Sequence, residues 1–127
     1  MNTGMNKTPD QYADEAAEAV RSLNHATLRT AGGYVWPADV DAVIANLTAM
    51  VAGSEQAIRQ GYGWLARAAQ AGAVGHDESA DVAGELAVLR TTAVEAIEQV
   101  QVLTARLNEM RRVTSHLTGI TTERETK

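Results

Sequence analysis

From Val82 to Leu117 the chain places a residue of one stripe at every third or fourth position without a miss. The stripe runs Val82, Leu86, Leu89, Ala93, Ala96, Val100, Leu103, Leu107, Met110, Thr114 and Leu117, apolar but for one threonine. Five unbroken heptads of this phasing predict a long, coiled-coil-like helix, because a strand alternates with period two and would scatter the same residues over both faces. Capped by Asp77 or Ser79 and ended by Gly119, such a helix spans about forty residues, or roughly 60 Å at ~1.5 Å per residue. Val88, Val94, Ile97 and Val102 lie off the stripe, so the helix asks for more than one neighbour.

The same period organises the residues before it. Val40, Ile44, Leu47, Val51, Ser54, Ile58, Gly61, Leu65 and Ala68 repeat at spacings of four and three, and Val43, Met50, Ala57 and Trp64 widen the stripe. Pro37 suits a first helical position, with Asp39 and Asp41 in the first turn. Gly53-Ser54 leaves the phase unshifted, which predicts one helix over about 38–71, kinked near Gly53. Two helices meeting at Gly53 are the alternative. An earlier helix starts at Thr8, with Pro9 behind it and Gln11 as capping-box partner. Its face is Tyr12, Ala16, Ala19, Leu23 and Ala26, and Gly32-Gly33 is expected to end it. The glycines of Ala71 to Glu78 supply the cap and turn before the last helix. The expectation is an all-α, antiparallel bundle of three long helices, four if the second breaks near Gly53. It occupies 9–119 as one domain, between a flexible N-terminus over 1–8 and a polar tail over 120–127.

Composition says how such helices must pack. The chain has 23 Ala and no Phe, and Leu, Ile, Val and Phe make up 25 of its 127 residues. Alanine favours helix but buries little area, so the helices gain from close contact and from a further chain. With no cysteine, disulfides, thiolate metal sites and cysteine nucleophiles are excluded. A net charge of −5 argues against nucleic acid as the main partner. No apolar run is long enough to span a membrane and Met1 to Lys7 lacks an apolar signal core, which together point to the cytoplasm.

Charge on the last helix is lopsided. Asp77, Glu78, Asp81, Glu85, Glu95 and Glu98 face one base, Arg90, in its first half. Beyond Gln99, Arg106, Arg111, Arg112, Arg124 and Lys127 outnumber Glu109, Glu123 and Glu125. Matching to the helix dipole explains this polarity. So does a homodimer in which two copies of the helix run antiparallel, acidic half on basic half.

Chemistry finds little purchase. His25, His76 and His116 fall on different elements, with no helical two-histidine spacing. Glu15 with Glu18 and Glu78 with Asp81 are carboxylate pairs three apart, the arrangement with which all-α nucleotide pyrophosphohydrolases hold Mg2+. Both pairs also fall in first turns, where acids serve as caps. The buried basic pocket of small all-α chorismate mutases has no counterpart, since the two lysines stand at 7 and 127. Helical hairpins of one secretion family are similar in size but carry Trp-x-Gly in the turn, which is missing. Arg106, Arg111 and Arg112 form a basic cluster interrupted by Glu109, a weak basis for a nucleic-acid-associated factor. No cofactor motif is visible.

The aromatic connector Tyr34-Val35-Trp36-Pro37 is the most unusual local feature. It suits a plug at one end of the bundle or a binding surface, with Tyr62 and Trp64 as further interaction candidates. Leu23-Asn24-His25-Ala26-Thr27, Tyr34-Val35-Trp36-Pro37-Ala38-Asp39-Val40 and His116-Leu117-Thr118-Gly119 together resemble small helical proteins of actinobacteria, some carried on mobile elements. The resemblance covers about 15–119 and implies neither an activity nor site residues. The reading that follows is a non-enzymatic interaction module, self-associating and presenting helical surface to a protein partner. A metal-dependent hydrolase using Glu15, Glu18, Glu78 and Asp81 is the alternative.

Overall fold

Each helix of the chain begins at a residue that can satisfy or dispense with the free N–H groups of a first turn. A computed structural model describes residues 6–121. Within them lie α1 (Pro9–Ala26), α2 (Pro37–Gln70) and α3 (Val82–Thr114), and no strand. Most of the expected N-terminal segment over 1–8 and tail over 120–127 lies outside the described residues.

At α1, Pro9 lacks an N–H and the Gln11 side chain accepts from the Thr8 N–H at 2.9 Å, the expected half of a capping box. At α2, Pro37 is again the first residue, and Asp39 Oδ2 accepts from the N–H groups of Val35 and Trp36, both at 2.9 Å. These bonds hold the Asp39 carboxyl below its ordinary range, Trp36 first and Val35 second. Asp81 caps α3, accepting from Ala83 and Gly84. Neither Asp77 nor Ser79 does so, because the turn from His76 to Ser79 intervenes, with Ser79 in the left-handed region at φ 59°.

The second helix is unbroken. It runs 34 residues through Gly53 and Ser54, and the Ser54 hydroxyl returns its hydrogen bond to the Val51 carbonyl. The two-helix alternative is thereby excluded. Gly72, at φ 75°, ends α2, with Ala73 donating to Ala68 and Gly72 to Ala69 in a Schellman closure. Two ends differ from expectation. The α1 helix stops at Ala26 rather than at Gly32, and the chain beyond folds back so tightly that a Cβ on Gly33 would strike the Ala26 carbonyl. The α3 helix stops at Thr114, five residues short of Gly119.

The helices α2 and α3 form an antiparallel hairpin, and its polar contacts fix the register. Asp41 meets Arg111 and Thr114 at one end, while Glu55 accepts from Gln101 at 3.2 Å further along. Among the described residues, only Ile44 of α2 and Ile97 of α3 are buried, at 9% and 7% exposure. Ile97 was expected off the stripe, so the face α3 turns to α2 is rotated from the expected one. Val82, Leu86, Ala93, Ala96, Ile97, Val100, Thr104, Leu107, Arg111 and Thr114 are buried or half-buried, whereas Leu103, Met110 and Leu117 stay exposed. Thus α3 follows one edge of its apolar stripe into the hairpin and leaves the other edge outside.

The first helix stands apart. It lies along α2 in the opposite direction, with Pro9 near Gly61 and Trp64, and Val20 and Leu23 near Val43 and Leu47. No Cα of α1 comes within 8 Å of one in α2 or α3. Side-chain tips alone close the gap, around an apolar cleft of about 260 Å3.

Candidate interaction surface

Two segments singled out by sequence, eighty residues apart, meet at one end of the hairpin. Asp39 pins Val35 and Trp36 to the start of α2, and the Trp36 ring lies on the backbone of Gly119, where even a methyl group would overlap it. Gly119 is used here because close approach, not a turn, forbids a side chain. Pro37 completes the contact, and Val35, Thr118 and Ile120 border an open cleft of about 600 Å3. Trp36 is 49% exposed and Tyr34 is exposed beside it, so the connector covers the bundle end with one ring face and shows the other to solvent.

The remaining aromatic candidates separate. Trp64, 61% exposed, lies on the α1 side of α2 near Pro9. Tyr62 is half-buried and lines a different groove between the end of α2 and the start of α3, with Arg90 and Thr91 opposite.

The three arginines also part company. Arg111 turns inward: Nε donates to Asp41 Oδ1 at 3.3 Å and Nη2 to Oδ2 at 3.1 Å. Arg106 reaches Glu109 at 2.9 Å on the outer surface, and Arg112 is exposed. They make no common basic face.

The carboxylates of the hydrolase reading are engaged locally. Glu15 pairs with Lys7 at 2.8 Å, Glu18 pairs with Arg21, and Asp81 is the α3 cap. The structure does not gather Glu15, Glu18, Glu78 and Asp81 into one set. Among the described residues, one group of three potential ligands lies within 4.8 Å: His76, Asp77 and Glu78 in the exposed α2–α3 turn. There His76 Nδ1 accepts from the Glu78 N–H at 3.0 Å, so the lone pair of that nitrogen is already used within the turn.

What the surface does offer is apolar area. Val88, Val94, Val102, Leu103, Met110 and Val113 of α3 are all exposed, as is Leu117 just beyond it. Exposed apolar side chains that recur in steps of seven along one helix, as Leu89, Leu103 and Met110 do, are an interaction feature. No described helix is long and apolar enough to cross a membrane. Comparison with protein-family models, with curated proteins and with solved structures gives no match in any of the three.

Proposed function

We propose that the chain is a non-enzymatic interaction module that self-associates through its long helices, as a homodimer, and offers helical surface to a protein partner in the cytoplasm. The observation carrying this reading is the row Leu103, Met110 and Leu117, left exposed beside a hairpin with only two buried residues. A core of that size contributes little against the entropy of ordering two helices of 34 and 33 residues. A second chain supplies the missing burial. In that assembly α1 completes an antiparallel three-helix bundle on each hairpin, and α3 acts as the coiled-coil-like element.

Light scattering coupled to size exclusion tests the reading. A mass of twice the chain at micromolar concentration supports it, and a strict monomer overturns it.

A further inference from the structure

We infer that the second copy lies antiparallel along α3, on the row Leu89, Ala96, Leu103 and Met110, with the two-fold axis passing beside Ala96; this rests on the self-association proposed above.

Three observations select this occupant. Length is the first. Among the described residues the only other helix able to cover the row is α1, whose 18 residues span roughly 27 Å, short of the roughly 32 Å from Leu89 to Met110. Moreover, the half-buried residues of α1, Val20 and Leu23, already face Val43 and Leu47 of α2. Another α3 matches the row from end to end.

Charge is the second. Asp81 and Glu85 lie at the start of the helix and its cap, with Arg90 as the one base before Ala96, and Arg106, Arg111 and Arg112 lie in the last part, while Glu95 and Glu98 stand beside the axis and pair with neither end. Parallel copies would set like charges side by side, whereas antiparallel copies set acid against base. Arg111 is held by Asp41 within its own chain, and Glu109 sits beside Arg106 at 2.9 Å. Arg106, although paired with Glu109, is 72% exposed, so it and Arg112 are the bases on the outer surface of this half.

Register is the third. Leu89 and Leu103 each stand seven residues from Ala96. An axis at Ala96 pairs Leu89 of one copy with Leu103 of the other on both sides, and sets the small alanines together where the helices approach most closely. The same axis brings Glu85, eleven residues before Ala96, beside Arg106, ten residues after it, twice over. These residues flank the apolar row, as charged pairs do in antiparallel helix pairs. A stable dimer hides ~1,200–2,000 Å2 in all, which two helices of this length can supply.

The chain has no cysteine, so a single introduced thiol reports on its own symmetry mate. Under mild oxidation, Ala96→Cys should form a disulfide dimer, while Glu85→Cys should not. In parallel, Leu103→Asp should convert the protein to a monomer that unfolds at a lower urea concentration than the wild type. Glu85→Arg should weaken the dimer at least tenfold, and Glu85→Arg with Arg106→Glu should restore it. If the wild type is dimeric but Ala96→Cys stays uncrosslinked, or crosslinks no faster than Glu85→Cys, this interface is overturned while self-association stands. A monomeric wild type overturns both. The crosslink decides even if Leu103→Asp fails to fold.

Discussion

Asp41 and Arg111, seventy residues apart in sequence, face each other as a two-pronged pair across the open end of the α2–α3 hairpin. The Thr114 hydroxyl donates to the same carboxylate at 2.7 Å. Fork-on-fork geometry makes this contact directional as well as attractive. It fixes which residue of α3 stands opposite the first turn of α2.

The pair predicts an acid limb in the stability profile. Hydrogen bonding from Arg111, then from Thr114, holds the Asp41 carboxyl below its ordinary value. Arg59, then Gln101, do the same for Glu55. A carboxyl whose value is lower folded than unfolded binds fewer protons when folded. Its contribution is therefore full above about pH 5 and is lost as the pH falls through the lowered folded values. Urea midpoints measured from pH 7 to pH 2 should fall across that window. Asp41→Asn should be less stable than the wild type at pH 7 and show a shallower fall.

Trp36 on Gly119 predicts a local spectroscopic change. In a Trp64→Phe background, the remaining tryptophan reports on the bundle end alone. Gly119→Ala should push the ring off the backbone and shift its emission to the red. Because Trp36 is 49% exposed, Trp36→Ala should cost about 1–2 kcal/mol, less than the ~3–5 kcal/mol of a buried tryptophan. A loss in the buried range would contradict the half-covered ring.

The small core predicts a sharp contrast between neighbouring side chains. Ile97→Ala removes one of two buried residues and should cost about 2–5 kcal/mol in urea unfolding. Val94→Ala, on the exposed face three residues earlier, should change stability by no more than about 0.5 kcal/mol.

Continuity of α2 makes a glycine in its middle a weakness. A Cβ added to Gly53 would meet nothing within 4 Å. Gly53→Ala should therefore raise stability by about 0.5–1 kcal/mol, through helix propensity alone. A break at this point would instead make the substitution neutral or harmful.

The sequence was most legible where a single rule governs. Uninterrupted phase carries α2 through Gly53, since a loop there would have reset it, and prolines mark two helix starts. Periodicity also finds the apolar stripe of α3, but not which edge enters the hairpin. Ile97 lies about 120° around the helix from Leu103, and which of the two is buried depends on how α2 is rotated. Asp41–Arg111 was out of reach for a related reason. Charges seventy residues apart become partners only once the register of two helices is fixed. The Asp81 cap was hidden by competing caps at Asp77 and Ser79, and the backbone at Ser79 decided among them. The meeting of Trp36 with Gly119 was legible only in part: the aromatic connector suited a plug at a bundle end, but Gly119 read only as a helix stop. The carboxylate pairs fell where helix capping and local ion pairing use acids just as metal binding does.

The gap beneath α1 has a consequence for how the molecule breathes. A helix of 18 residues fastened by side-chain tips gains little from its neighbours, and alone it would be marginal in water. Its amides should therefore exchange with deuterium long before those at the centre of the hairpin, in an opening that leaves α2 and α3 paired. Cleavage at Gly32-Gly33, both exposed, would then release the N-terminal segment and keep the long rods folded.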